Sequence, residues 1–314
     1  MTTSALSVVL VAGLLALGGC GDDNPGKPPA NSSLSGDSDL TGRLLFSRFD
    51  EGTHTFISTH VSRADGSEET ELQMPGPEGG GQWSHSGSHI AVMTVLPDDR
   101  IGTAIITAEG KVERVLKIPD ATLNLVCTVW SPDDTRLACE GWDDSTPSRG
   151  GIYSVRSADG GALERITTTP SGVVDLPGDY SPDGRTFLFK RAPDETEGPL
   201  MLVPAEGGKP KQLTEQLVED PGRYSPDGST ILTSAEGSIV LLDEQGALID
   251  DFSVESHVLF GPVWSPDGTH IAYSSAGGGP HADVWTALPD GSDPHRVTST
   301  PENEIVVEWG ADPS

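Results

Sequence analysis

Basic residues are scarce in this chain. Its 314 residues hold 19 Lys and Arg against 48 Asp and Glu, a formal net charge of −29. Nucleic acid and anionic membrane surfaces are recognised by clustered Lys and Arg, so neither is an expected partner. Long helices are excluded by 38 Gly and 25 Pro, since both residues break them. No apolar run reaches the roughly 20 residues of a membrane-spanning helix. Catalytic signatures are missing too: there is no Gly-x-Ser-x-Gly elbow, no Gly-x-x-x-x-Gly-Lys-Ser/Thr phosphate loop and no His-Glu-x-x-His. Hydrophobic residues make up 35%, and with Gly added the share approaches the ordinary ~45–50%. A real core is therefore affordable.

What is present begins with an address. Residues 1–19 carry no charged side chain, and Ala5 to Leu17 is almost unbroken apolar sequence. An N-terminal run of that length fits the apolar region of a secretory signal. It ends in Leu17-Gly18-Gly19-Cys20, which resembles the bacterial lipobox. That resemblance implies cleavage before Cys20 and diacylglycerol on its thiol. Residues 20–41 are rich in Gly, Pro, Ser and Asp and read as a flexible tether. Gly21, not Asp, follows the Cys, which by the same resemblance favours the outer membrane. The expected product is an exported lipoprotein, membrane-anchored and facing the periplasm or the cell surface.

A repeat then sets the fold. Its copies are Trp83-Ser84-His85-Ser86-Gly87, Trp130-Ser131-Pro132-Asp133-Asp134, Tyr180-Ser181-Pro182-Asp183-Gly184, Tyr224-Ser225-Pro226-Asp227-Gly228 and Trp264-Ser265-Pro266-Asp267-Gly268, with Trp309-Gly310-Ala311-Asp312 a degenerate sixth. The period is about 40–50 residues, that of a propeller blade. An apolar strand follows each turn, as in Thr186-Phe187-Leu188-Phe189, then a variable loop and two further strands. In the turn, Pro presets φ, Asp bonds nearby amides and Gly takes the left-handed conformation. These Asp residues read as structural. The motif resembles the TolB-type propeller repeat over residues 42–314. TolB proteins have six blades but add an N-terminal α/β domain, for which the tether leaves no room. Leu44-Leu45-Phe46-Ser47 aligns as a second strand, and Ile305 to Trp309 as a first strand. Their pairing closes the ring and removes its open edge. The expected fold is all-β, a six-bladed propeller of four-stranded antiparallel blades, acting as a monomeric ring.

Cys127 and Cys139 flank the second turn, centred near Asp133, symmetrically. With Trp130 opposite Arg136, Cys127 falls opposite Cys139, close to bonding range. An exported protein meets an oxidising compartment, and both a disulfide and two buried thiols fit. The eight His residues read as scattered surface groups: His85 and His89 straddle a turn. Oligogalacturonate lyases use a similar repeat with His metal ligands, but their ligand set finds no counterpart here. Asp37 to Gly42 resembles the start of a calcium loop, yet Arg48 stands where the closing Glu belongs. Prolyl-peptidase propellers resemble the ring but continue into a hydrolase domain, which is not expected here.

Loops joining the second and third strands share one rim with loops between blades, and acids crowd both sets. Within blades the candidates are Asp98, Asp99, Asp143, Asp144, Asp194 and Glu195, with Trp142 as an exposed anchor in a long loop. His281 lies on the same face. Between blades, Asp179, Glu219, Asp220 and Glu302 stand against few bases, Lys117 and Arg223 among them. Such a rim attracts a basic protein patch or divalent cations. No cofactor is implied, though a divalent cation fits. The expected function is a non-enzymatic protein-binding or scaffold module whose partner is another envelope protein. A polysaccharide-directed lyase or hydrolase working through the propeller funnel is the alternative, and a sugar- or cation-binding module the second.

Overall fold

A computed structural model describes residues 40–77, 79–193, 196–277, 279 and 281–313. The signal, Cys20 and nearly all of the tether lie outside the described residues, as do Asp194 and Glu195.

Among the described residues, twenty-four strands form six antiparallel sheets of four. β1 (Arg43–Phe49), β2 (Phe56–Arg63) and β3 (Thr70–Leu72) belong to blade 1. Blade 2 is β4 (Gln82–Trp83), β5 (His89–Val95), β6 (Ile101–Thr107) and β7 (Val112–Val115). Blade 3 is β8 (Asn124–Trp130), β9 (Arg136–Trp142), β10 (Gly151–Arg156) and β11 (Glu164–Arg165). Blade 4 is β12 (Val174–Tyr180), β13 (Thr186–Ala192), β14 (Leu200–Pro204) and β15 (Lys211–Gln212). Blade 5 is β16 (Arg223–Tyr224), β17 (Thr230–Ala235), β18 (Ser238–Asp243) and β19 (Leu248–Phe252). Blade 6 is β20 (His257–Trp264), β21 (Ile271–Gly277), β22 (Ala282–Ala287) and β23 (His295–Arg296). The last strand, β24 (Asn303–Gly310), pairs with β1 and completes blade 1. The ring is closed as the repeat arithmetic implied.

The turns work as their residue types dictate. In blades 3 to 6 the turn Ser hydroxyl donates to the turn Asp at 2.7 Å. The same Asp oxygen accepts the N–H two residues on, at 3.0–3.1 Å. Gly184, Gly228 and Gly268 hold φ of +70°, +76° and +71°, a region L side chains avoid. These aspartates are caps.

The core lies between blades. Trp83 joins Leu45 and Val61 of blade 1 to Ile90 and Val92 of blade 2. Tyr180 packs on Val129, Ala138 and Ile152 of blade 3. Trp130 Nε1 donates to Gln82 O of the blade before it at 2.9 Å, and Trp264 Nε1 to Arg223 O at 3.3 Å. Trp83, Trp130, Tyr180 and Trp264 thus pack into the core between blades, and Trp130 and Trp264 find a carbonyl there, whereas Trp83 Nε1 has no partner among the described residues.

One register differs from the sequence expectation. Trp130 stands opposite Leu137, not Arg136. A bulge at Thr128 absorbs the extra residue, so Cys127 still pairs with Cys139. The two sulfurs are bonded. Comparable shifts occur at Gly178 in β12, at Gly261-Pro262 in β20 and at Val307 in β24. Gly81 and Gly222 stand at the matching place before the two-residue strands β4 and β16. The ideal Cβ of residue 178 falls 2.4 Å from Pro221 O. Inner strands approach that closely only where a side chain is missing.

Candidate functional site: the loop-bearing rim

The rim is built from the loops after each second strand and between blades. Asp98 and Asp99 are exposed in the β5–β6 loop. Arg100 folds back on Asp98 at 2.8 Å and donates to Leu123 O at 2.9 Å, tying this loop to the next blade. That pairing holds the Asp98 carboxyl below its ordinary pKa. Around them Leu96, Pro97, Val115, Leu116, Ile118 and Lys117 form an open groove of about 550 Å³.

In blade 3 the structure corrects the sequence reading. Trp142 is the last residue of β9, half-buried opposite Asn124, so it is not a loop anchor. Asp143 is 4% exposed. One oxygen caps Ser145 N and Thr146 N at 2.9 and 3.1 Å; the other meets Arg149 at 2.9 Å. These amide bonds, with the Thr122 hydroxyl, outweigh desolvation and keep its pKa low. Arg149 also holds Asp120. Asp144 is exposed and accepts from Asn124 Nδ2 at 3.2 Å.

Further round, Arg191 pairs with buried Asp175 at 2.6 Å, and Lys190, 1% exposed, donates to Glu219 O. Asp220 accepts Ser234 Oγ at 2.6 Å and Gly261 N at 2.8 Å, so one carboxylate links blades 5 and 6. Glu219 has a raised pKa, first from burial and then from Asp220 beside it. At the closure, Glu304 is fully buried against Arg48 at 2.8 Å, and Asp283 meets Arg296 at 2.7 Å. Burial raises the Asp283 pKa despite that Arg. His281 precedes β22 and Glu302 precedes β24, both half-buried.

The rim arginines are therefore committed internally. Among the described residues no ion pair engages Asp99, Asp144, Glu219, Asp220 or Glu302. Exposed apolar groups stand between the acids: Val95 at 45%, Leu217 at 48% and Val254 at 40%. Among the described residues no three His, Cys, Asp or Glu converge as a metal site. His85 and His89 go separate ways, to Asp134 at 3.3 Å and Glu113 at 2.8 Å.

Asp179 and Arg223 are not on the rim. They sit on inner strands β12 and β16, directly before the motif aromatic. Arg223 donates to Gly178 O at 2.7 Å and stands 3.9 Å from Glu308 of β24. Asp179 accepts Tyr224 N at 3.0 Å. Burial raises the Asp179 pKa to about 6, with Arg223 opposing and Glu308 reinforcing the rise. The readable signal was a charged residue immediately before the aromatic, as in Asp179-Tyr180, Arg223-Tyr224 and Glu308-Trp309.

With this geometry in hand, the ring can be set beside known structures. TolB from Acinetobacter baumannii superposes with a TM-score of 0.64 at 18% identity, over 87% of this chain and 67% of that one. The chain has a TolB-like β-propeller fold. A puromycin hydrolase (TM-score 0.55, 16% identity, 84% of this chain and 46% of that one) and a prolyl endopeptidase (0.53, 10%, 85% and 49%) share it. The chain spans about half the length of those two enzymes. At these identities the likeness is one of fold. No protein-family model matches the sequence, and a search of curated proteins finds no match. Among the described residues no helix is long and apolar enough to cross a membrane.

Proposed function

We propose that the chain is an exported, lipid-anchored propeller that binds another protein of the bacterial cell envelope without catalysing a reaction. The observation that carries this reading is the state of the rim. Its arginines are used in internal ion pairs, which fix the loops, while unpaired carboxylates and exposed Val95, Leu217 and Val254 remain at the surface. A rigid acidic frame around apolar contacts suits a basic protein patch. The signal, lipobox-like Cys20 and tether at the N-terminus supply the export and the anchor.

Affinity capture of the full chain from detergent-solubilised envelope tests this. A stoichiometric protein partner recovered at low salt and weakened at high salt is expected. Recovery of no partner at either salt overturns the reading, as does turnover of a polysaccharide by the purified protein.

A further inference from the structure

The rim seam between blade 6 and blade 1 holds two covered polar atoms that no described group satisfies. Asn303, 3% exposed, heads β24. Its Oδ1 accepts the Ala282 N–H at 3.0 Å. That bond fixes the amide's orientation and leaves Nδ2 without an acceptor. His281, adjacent to Ala282, has a covered Nδ1 without a partner.

Blade 3 supplies an internal reference. Asn124 heads β8 opposite Trp142 as Asn303 heads β24 opposite Phe49. Its Oδ1 likewise accepts a third-strand N–H of the preceding blade, from Ile101 at 2.8 Å. Its Nδ2, however, is filled by Asp144. The loops correspond residue by residue: Asp143 caps Ser145 N and Thr146 N, and Asp50 caps Gly52 N and Thr53 N. Glu51 is therefore the counterpart of Asp144, but it leaves the Asn303 amide unfilled. By that correspondence Nδ2 of Asn303 is directed to the mouth of the β1–β2 loop, on the rim. Asp283 is already held by Arg296, whereas Glu302 has no ion pair among the described residues.

A group that accepts from Asn303 Nδ2 and hydrogen-bonds His281 Nδ1 satisfies both atoms. One residue of an extended chain offers that pair, its own C=O and N–H on the same edge. The carboxylates of Glu51 and Glu302 select a cationic neighbour. We propose that this seam takes an extended segment of a partner protein, one residue's backbone C=O and N–H held by Asn303 and His281, with a Lys or Arg paired to Glu302 or Glu51. The proposal rests on the protein-binding reading and assigns it a place.

A random dodecapeptide library displayed on phage, panned on the purified full-length chain, tests it. Enriched peptides should carry Lys or Arg and bind the wild type in fluorescence anisotropy. Asn303→Asp keeps the acceptor for Ala282 but turns the free donor into an acceptor, and should weaken binding at least about tenfold. Glu302→Gln should weaken it less and flatten its salt dependence, and Arg185→Ala on the opposite face should leave it unchanged. If Asn303→Asp fails to fold, judged by its thermal melt, His281→Ala carries the comparison. No enrichment, enrichment without basic residues, or wild-type binding by Asn303→Asp or, in its place, His281→Ala overturns the proposal. So does a saccharide from a glycan array whose binding needs Asn303. An envelope protein captured equally well by Asn303→Asp refutes this seam and leaves the broader binding reading standing.

Discussion

Asp134 occupies the turn position that glycine holds in blades 4 to 6, at φ +56°. The departure is matched by another one blade away. Blade 2's turn has Ser86 where the others have the capping Asp. Asp134 braces that turn from outside, accepting His85 N at 2.8 Å and Ser86 N at 3.0 Å, and it pairs with the His85 ring. Asp134→Gly relieves the backbone yet strips two amides of their acceptor. A net loss of about 1–2 kcal/mol is expected in urea unfolding. Asp134 raises the His85 pKa above its ordinary 6.5. The resulting stabilisation is complete below that value and is lost as pH rises through the higher folded-state pKa. Asp134→Asn should remove this pH dependence, read from urea midpoints at acid and alkaline pH. Asp179 behaves in the opposite sense to a salt-bridged acid. With its pKa raised to about 6, the folded state holds a proton that the unfolded state has released. Stability therefore falls as pH rises from about 4 to 6. Asp179→Asn can still accept Tyr224 N and should stabilise the ring at neutral pH by about 1–3 kcal/mol.

Among elements, the inner strands carry most of what had to be seen rather than read. The turn motif, the strand order and the closing pair follow from residue types and spacing, because Pro, Asp and Gly constrain the chain locally. The bulges do not, because they answer to the neighbouring blade: only Gly81, Gly178 and Gly222, two residues before an aromatic, hint at them. For the same reason the Trp130 register could not be read, whereas the Cys127–Cys139 pairing survived the slip through Thr128. The rim was legible as a set of acidic loops. Its internal ion pairs were not, since Arg149 reaches Asp120 across a blade boundary. Replacing both Cys127 and Cys139 by Ala opens the short loop they close and should cost about 2–4 kcal/mol, measured by urea unfolding. The closing strand is the other sensitive element. The ideal Cβ of residue 310 falls 2.3 Å from Trp83 Cγ, and Trp83 is only 4% exposed. Gly310→Ala should cost about 1–3 kcal/mol by overpacking, with a lower melting temperature and altered Trp fluorescence.

At the scale of the molecule, the two ends of the described ring, near Thr41 and Asp312, lie on one face. Gly42 N donates to Asp312 at 3.1 Å, and Trp309 Nε1 donates to Thr41 O at 2.9 Å. The ideal Cβ of residue 42 touches Pro266, and that of residue 87 meets Ala311 O. Both ends are thus wedged among the turns of blades 6 and 2, opposite the rim. Under the proposed anchorage at Cys20, the tether joins the ring at its turn face and leaves the rim turned away from the lipid. On the proposed reading of residues 20–41 as a flexible tether, its r.m.s. span is about 25 Å, enough to let the ring tilt, so the proposed orientation is an average. Repulsion between the acidic rim and anionic headgroups biases it further. Lipidated protein in anionic liposomes containing a lipid-borne quencher measures this, with a fluorophore on Asp183→Cys at the turn face or on Asp99→Cys at the rim. Stronger quenching at 183 than at 99 is expected, with Cys20→Ser abolishing both by releasing the protein from the vesicles. Equal or reversed quenching refutes the orientation, and vesicle binding that persists in Cys20→Ser refutes the anchor itself.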